Sequence, residues 1–293
     1  MCGIVGLHLR EPSLYPRLGA LLTGMLCEVT ERGPDSAGVA VYGDPRWSPA
    51  GHAAVSILPG TATADDVRAA LPGTQVVDAG QTLVLSAPTG VDELAAAVRA
   101  ALPDALVIGQ GEDVAVLKGV GHPQALAAEF GLPAAQGWQG VAHTRMATES
   151  AVTPAHCHPF SVGPDQCLVH NGSFANHATI RRELTAAGVR FDSDNDSEVG
   201  ARFVAAQLAA GYDLEKSLKL LCERFDGFYT LLVSTRDSFA VVRDAIACKP
   251  AVIAETPQWV AMASEYRALA GLPGIENARI FEPEPEEVYA WQR

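Results

Sequence analysis

The sequence opens with MCGIVGL, residues 1–7, in which a cysteine directly follows the initiating methionine. From Cys2 onward, small and branched apolar residues alternate, which predicts a buried strand that starts at the thiol itself. Chain termini normally fray, so a buried strand this close to the first residue is unusual. We therefore ask whether Cys2 is an ordinary structural residue or becomes the first residue of the mature protein.

The second reading has a chemical rationale. The side chain of Cys2 is small enough to favour removal of Met1, which would leave a thiol and a free α-amine on one residue. Such an amine can accept or relay the proton of the thiol, so Cys2 would supply both nucleophile and base. In an arbitrary chain that begins Met-Cys, simple packing at the start of a strand is the commoner role, and the rest of the sequence must decide.

Composition narrows the class of protein. The 293 residues are 48% hydrophobic and 19% charged, as in a globular chain. The net charge of −13 opposes binding to nucleic acid and to anionic membranes. No apolar run is long enough to span a bilayer and no signal peptide is evident, so we expect a cytoplasmic protein whose six scattered cysteines are reduced.

The apolar pattern predicts a mixed α/β chain. The segment from about residue 52 to 136 reads as strand, helix, strand, strand, helix and strand, which resembles a split βαβ unit. We therefore predict an inserted α+β subdomain at 52–136 within one domain that spans residues 2–293. Outside it we predict helices at about 15–30, 176–187 and 198–210, and strands at 39–42, in GVAHTRMAT and CLVHNGSF, and in the β-rich tail.

Five short motifs follow one another in the order MCGIVG, RGPDSAG, AHTRMAT, VHNGSF and NDSEV. With this order the sequence resembles the class II glutamine amidotransferases, which are N-terminal-nucleophile hydrolases that release ammonia from glutamine. The resemblance covers most of the chain outside residues 52–136. It implies an α+β fold, a four-layer αββα sandwich of two antiparallel sheets between helical layers, with Cys2 as the catalytic nucleophile.

The HNG motif fits the chemistry of amide hydrolysis. A thioester route passes through a tetrahedral oxyanion, which needs hydrogen-bond donors already in position. Asn171 can offer a side-chain N–H, and Gly172 a backbone N–H with no Cβ in the way. The resemblance assigns the oxyanion hole to these two residues. For an isolated Asn-Gly pair, a hairpin turn is the commoner explanation.

Glutamine also carries an α-carboxylate and an α-ammonium group. By resemblance, Arg145 binds the carboxylate and Asp196 the ammonium, while Arg32, Gly33 and Thr148 belong to the substrate-binding set. Taken alone, an arginine at a strand end is usually a surface or ion-pair residue, and an aspartate near a helix start is usually a cap. A structural role for the neighbouring Asp35 and Ser36 is at least as plausible as substrate contact.

Other residues leave alternatives open. Zinc could be bound by the side chains of His156, Cys157, His158, Cys167 and His170, although their spacing fits no standard zinc finger. Met146 and Glu149 depart from the residues that many members of the family have at these positions of the pocket wall. Ser264 and Glu265 match a late family motif to which we assign no role.

Missing motifs suggest how the protein works. No phosphate loop, dinucleotide fingerprint, flavin or iron–sulfur signature is evident, so we expect no cofactor. We also see no ammonia acceptor in the chain and expect one in a separate synthase subunit. HTRMATES and the insertion look most like the stand-alone amidotransferase subunits of N-methylglutamate synthase and glutamate-synthase-like complexes. The alternatives are a stand-alone γ-glutamyl amide hydrolase and a non-catalytic glutamine-binding regulatory subunit.

Overall fold

The structure, a computed structural model, describes residues 2–146 and 152–293. The strands are β1 (Gly3–Leu9), β2 (Ser36–Tyr42), β3 (Ala53–Leu58), β4 (Gln75–Ala79), β5 (Thr82–Ala87), β6 (Leu106–Gly111), β7 (Val114–Val120), β8 (Gln139–Arg145), β9 (Cys167–Phe174), β10 (Gly227–Ser234), β11 (Ser238–Arg243), β12 (Val252–Glu255), β13 (Trp259–Ala263), β14 (Arg279–Phe281) and β15 (Tyr289–Gln292). The α-helices are α1 (Leu18–Glu28), α2 (Ala64–Ala70), α3 (Val91–Ala101), α4 (Pro123–Glu129), α5 (His177–Ala186), α6 (Asp196–Ala209) and α7 (Leu214–Arg224).

Two antiparallel sheets form the centre of the molecule. One has seven strands in the order β14-β12-β13-β1-β8-β2-β7, and the other has four in the order β15-β11-β10-β9. Strand β1 lies inside the larger sheet, paired with β13 on one side and β8 on the other. The predicted buried strand that starts beside Cys2 is therefore present, and pairing on both edges keeps it from fraying.

Both faces of β1 are covered, which explains why nearly every position in it is apolar or small. Val5 and Leu7 pack in the core shared with α1, whereas Ile4 packs between the two sheets. At Gly6 the other sheet comes so close that a Cβ would lie 2.5 Å from the Leu232 side chain. The glycine at this position is thus required by sheet-to-sheet contact.

Helices cover the outer face of each sheet. Apolar side chains of α1 and α4, such as Leu22 and Leu126, pack on the seven-stranded sheet. On the other side, side chains of α5, α6 and α7, such as Ile180, Val199 and Leu218, pack on the four-stranded sheet. The layers follow the order helix, sheet, sheet, helix, so the expected αββα sandwich of the N-terminal-nucleophile hydrolases is confirmed.

A third sheet lies beside this sandwich, with the strand order β4-β5-β3-β6. Together with α2 and α3 it forms a split βαβ unit with its own apolar core. This unit occupies residues 53–111, whereas β7 joins the seven-stranded sheet and α4 packs on α1. That residues 52–136 form an inserted subdomain stays a prediction.

Some element boundaries differ from the predicted ones. The chain before α1 forms a 3-10 helix over Pro12–Arg17, where Pro16 has no backbone N–H to give to a regular helix. Helix α6 begins at Asp196, two residues earlier than predicted, because the Asn195 side chain accepts a hydrogen bond from the Ser197 N–H and caps the helix. Within residues 2–146 and 152–293, no helix has the length and apolar character to cross a bilayer.

Candidate active site

The backbone around Cys2 is held by side chains from distant parts of the chain. Gly3 N donates a hydrogen bond to Thr144 Oγ1 (3.2 Å), and Ile4 N donates to Ser264 Oγ (2.9 Å). Ser264 N in turn donates to the Ile4 carbonyl oxygen (2.9 Å). Ser264, a residue of the late family motif, therefore fixes the start of β1 next to the Cys2 thiol.

The carbonyl oxygen of Cys2 accepts two further hydrogen bonds. Arg32 Nε donates to it at 3.0 Å, and Asn171 Nδ2 donates to it at 3.2 Å. Arg32 is itself fixed by an ion pair between its Nη1 and Glu265 Oε1 (2.7 Å), and the hydrogen bond from Arg32 is the main cause that lowers the pKa of Glu265. Arg32, the arginine of the RGPDSAG motif, thus holds the backbone of Cys2 rather than facing open solvent.

An open cavity of about 310 Å³ lies next to the Cys2 thiol. It is lined by Cys2, Arg145, Met146, His158, His170, Asn171, Gly172, Asn195, Asp196, Ser197 and Lys249. These residues come from the chain just before β1, from β8 and β9, from the start of α6 and from two loops, so only the assembled sandwich creates the cavity. It holds a thiol, amide and backbone donors, two cationic side chains and one carboxylate.

The two charged residues assigned to the amino-acid end of glutamine are both placed by backbone contacts. Arg145 ends β8, is 7% exposed, and its carbonyl oxygen accepts a hydrogen bond from Asp35 N (3.2 Å). Asp196 Oδ2 accepts a hydrogen bond from Phe174 N (2.9 Å), while Asp196 Oδ1 lies 3.2 Å from Ser197 Oγ. Asp196 is the first residue of α6, but its neighbour Asn195 is the cap, which leaves its carboxylate in the cavity wall.

The Asn-Gly pair of the HNG motif is not a hairpin turn. Both residues lie within β9, where Asn171 is paired with Thr230 and Gly172 with Tyr229 of β10. Gly172 has a φ of +145°, and a Cβ there would lie 2.0 Å from the Phe228 carbonyl oxygen. Only glycine fits this position, so its backbone stands beside the Asn171 side chain at the cavity.

Three buried histidines lie at the cavity: His158 and His170 line it, and His143 packs against His158. The ring centroids of His143 and His158 are 4.2 Å apart, and those of His158 and His170 are 6.3 Å apart. Burial lowers the pKa of His143 to about 3 and that of His170 to about 4, and it lowers the pKa of His158 well below its usual range. All three rings are neutral at pH 7 and add no positive charge to the site.

Most of the residues predicted from sequence meet in this one place. Cys2, Asn171, Gly172, Arg145 and Asp196 line the cavity. Arg32 reaches the Cys2 carbonyl oxygen, and Gly33 packs against the backbone of Arg145 without lining the cavity. Thr148 and Glu149 lie outside the described residues.

Sequence reasoning missed Ser197 and Lys249 as cavity residues. Ser197 follows a predicted site residue, but its neighbours did not suggest a role for the hydroxyl. Lys249 lies in the loop after β11, and no sequence motif indicated it. Its ammonium group also stands over the ring of Phe228, 5.1 Å from the ring centroid.

The alternative zinc ligands do not converge. Cys167 is packed in the core between the two sheets, and His156 contacts the exposed Asp194. His158 and His170 both approach the Ser197 hydroxyl instead. Over the part of the chain that the structure describes, no group of three or more His, Cys, Asp or Glu side chains is placed to hold a metal ion.

Known proteins show which family the chain resembles. Residues 143–271 match the family described as "Glutamine amidotransferase domain". The chain is 48% identical over 295 residues to "Glutamine amidotransferase-like protein GlxB" of Rhizobium meliloti (strain 1021), a match that covers 99% of this chain and 98% of that protein. It is 31% identical over 160 residues to the "Amidophosphoribosyltransferase" of Methanocaldococcus jannaschii, which covers 52% of this chain and 34% of that protein.

Among solved structures, the fold is similar to that of glutamine phosphoribosylpyrophosphate amidotransferase from B. subtilis. The TM-score is 0.62 at 17% sequence identity, and the match covers 99% of this chain and 49% of that chain. The likeness shows a shared fold. Because the Rhizobium meliloti relative is similar over nearly the whole length of both proteins, the chain belongs to the class II glutamine amidotransferases, a family of N-terminal-nucleophile enzymes.

Proposed function

We propose that the protein hydrolyses the side-chain amide of glutamine through a thioester on Cys2. The observation that carries the proposal is the convergence of Cys2, Asn171, Gly172, Arg145 and Asp196 on one cavity. The Cys2 sulfur attacks the amide carbon, and its proton passes by way of the Cys2 α-amine to the leaving nitrogen. The C–N bond breaks, ammonia departs, and water then cleaves the thioester to give glutamate and the free thiol.

Each remaining group has a role in this proposal. The Asn171 amide and the Gly172 backbone N–H donate to the oxyanion that forms when sulfur adds to the carbonyl. The Arg145 guanidinium binds the α-carboxylate of glutamine, and the Asp196 carboxylate binds the α-ammonium. Arg32 keeps the Cys2 backbone in place, and Gly33 lets its loop approach Arg145. Thr148 remains in the proposed substrate-binding set on the strength of its motif.

The decisive experiment combines intact mass with a glutamine hydrolysis assay. We expect the purified protein to lack Met1, to release glutamate and ammonia from glutamine, and to gain one adduct with 6-diazo-5-oxo-norleucine. Cys2→Ala should abolish both the adduct and hydrolysis. Cys248→Ala is the matched control, because Cys248 is an exposed thiol beside the cavity residue Lys249 and should leave both intact.

Other results would support the alternatives. Retained Met1 with no adduct and no hydrolysis would favour a non-catalytic glutamine-binding subunit. Preference for a substituted glutamine over glutamine itself would favour a stand-alone γ-glutamyl amide hydrolase.

We further propose that the ammonia is passed to a synthase subunit, with assemblies such as N-methylglutamate synthase as the model, and that this takes place in the cytoplasm. The support for an acceptor outside this region is the match to the Methanocaldococcus jannaschii amidophosphoribosyltransferase: it covers only 34% of that protein, which therefore joins the similar region to further chain. Affinity purification from the native host should recover a synthase with the chain. A lone chain that is fully active and never associates with a synthase would contradict this part of the proposal.

A further inference from the structure

The hydroxyl of Ser197 stands at the centre of a polar cluster in the wall of the cavity. Ser197 Oγ lies 2.7 Å from His170 Nδ1, 2.9 Å from His158 Nε2 and 3.2 Å from Asp196 Oδ1. The serine is 1% exposed, His170 is 3% exposed and His158 is 7% exposed. These side chains are therefore almost completely withdrawn from water, and a buried N–H or O–H among them is costly without an acceptor in the protein.

The protons in this cluster can be counted. A hydroxyl has one hydrogen to donate and can accept two hydrogen bonds, whereas a carboxylate can only accept. If Ser197 donates to Asp196 Oδ1, both histidines must donate to Ser197, from His158 Nε2–H and His170 Nδ1–H. This assignment satisfies all three contacts with one hydrogen on the Ser197 hydroxyl, one on each ring and none on the Asp196 carboxylate.

The second nitrogen of each imidazole ring also agrees with this assignment. His158 Nδ1 and His170 Nε2 are both buried and have no hydrogen-bond partner among the described residues. In the assigned tautomers these two atoms carry no hydrogen, so no buried N–H is left without an acceptor. The reverse tautomer at either ring would bury an unpaired donor, which is the costlier arrangement.

We propose that Ser197 is a positioning residue for ammonium recognition: His158 and His170, each a neutral ring of fixed tautomer, donate to its hydroxyl, and the hydroxyl donates to Asp196 Oδ1. The other oxygen, Asp196 Oδ2, accepts from Phe174 N. Both carboxylate oxygens are thus anchored, and the side chain is held at the cavity wall before any ligand arrives. The inference rests on the proposed function in assigning Asp196 to the α-ammonium of glutamine.

The tautomers can be read directly in the unmodified protein. Long-range ¹H–¹⁵N spectra of protein labelled with ¹⁵N-histidine at pH 7 should show His158 protonated on Nε2 and His170 protonated on Nδ1, with His158→Gln and His170→Asn used to assign the signals. The opposite tautomer at either ring would overturn the proposal. This measurement does not depend on glutaminase activity.

The effect on recognition needs a ligand pair that differs only in the ammonium group. We would measure the inhibition constants of glutamate and of glutarate, which lacks the α-amine, against glutamine hydrolysis. Ser197→Ala should weaken glutamate about tenfold and leave glutarate unchanged within about twofold, because Asp196 loses the donor that holds it. Ser161→Ala is the matched control, since Ser161 is a buried serine outside the cavity lining and should change neither constant.

Conservative variants separate positioning from general packing. Ser197→Thr keeps the hydroxyl and should restore the preference for glutamate over glutarate that Ser197→Ala loses. Equal weakening of both inhibitors in Ser197→Ala, or no weakening of either, would overturn the proposal. If the unaltered protein did not hydrolyse glutamine, or did not prefer glutamate to glutarate, the proposed function would be contradicted. The tautomer measurement would still test the hydrogen-bond assignment, because it does not depend on that function.

Discussion

Gly33 shows how a single residue shapes the site without touching the substrate cavity. A Cβ at this position would lie 2.5 Å from the Arg145 carbonyl carbon and 2.6 Å from Arg145 N. Its φ of −160° is ordinary extended backbone, so the requirement for glycine comes from close approach alone. The loop that carries Arg32 and the strand end that carries Arg145 can meet only because no side chain stands between them.

We therefore predict that Gly33→Ala destabilises the protein by about 1–3 kcal/mol, because overpacking against rigid backbone forces one segment to move. Because that movement displaces Arg145, the KM for glutamine should rise as well. Urea unfolding and steady-state kinetics measure the two effects. Gly24→Ala is the matched control: Gly24 is an exposed glycine in α1 with nothing within 4 Å of the added Cβ, and this change should stabilise by about 0.5–1 kcal/mol. Equal changes in the free energy of unfolding for Gly33→Ala and Gly24→Ala would contradict this prediction.

At the scale of elements, β7 illustrates how an exposed sheet edge is covered. It is the last strand of the seven-stranded sheet, and the small third sheet supplies side chains to its free backbone groups. Ser56 Oγ accepts from Val116 N (2.9 Å), and Thr82 Oγ1 accepts from Lys118 N (3.0 Å) and donates to the Lys118 carbonyl oxygen (3.1 Å). Hydroxyl groups thus replace a neighbouring strand, which protects the edge from pairing with another chain.

Thr82→Val should remove both bonds while keeping the shape of the side chain. Because Thr82 is fully buried, the Lys118 N–H would be left without a partner or water, and we expect a loss of about 1–3 kcal/mol in the free energy of unfolding. Chemical denaturation measures the loss, and the exposed Thr61, changed to valine, is the control. An unchanged unfolding midpoint in Thr82→Val would mean that the small sheet does not stabilise the edge of β7 through this hydroxyl.

At the scale of the whole molecule, the three buried histidines make the fold sensitive to acid. The folded pKa values of His143 and His170, about 3 and about 4, lie below the ordinary value near 6.5. At pH values between the folded and the ordinary pKa, the unfolded chain binds protons that the folded chain does not. The free energy of unfolding therefore falls as the pH falls. Each such histidine contributes a slope of up to about 1.4 kcal/mol per pH unit.

His143→Leu removes one of these groups, and His143 does not line the cavity. The drop in unfolding free energy between pH 7 and pH 5 should be about 2 kcal/mol smaller in this variant than in the unaltered protein. His122→Leu, at an exposed position, should keep the original slope. If the free energy of unfolding fell equally with pH in His143→Leu and in the unaltered protein, burial of this ring would not be a cause of the acid sensitivity.

Much of this protein could be predicted from local patterns. Strand β9 spans the predicted CLVHNGSF stretch, and β1 starts beside Cys2, because alternation and burial of apolar residues are properties of short segments. The family resemblance that the ordered motifs carry also predicted five of the residues that line the cavity: Cys2, Arg145, Asn171, Gly172 and Asp196. Each motif keeps its own chemical groups close together along the chain, so the residues of the proposed site could be named before any contact was known.

Only the tertiary structure decided how these groups are held. Ser264 accepts a hydrogen bond from Ile4 N, 260 residues away in sequence, and Thr82 donates to the carbonyl oxygen of Lys118 in β7, 36 residues away. Lys249 enters the cavity from a loop without a motif, and Ser197 acquires its role from two histidines on other segments. Such contacts depend on strand register and on the approach of one layer to another, and the free energy of burying both sheets, rather than any local pattern, brings them together.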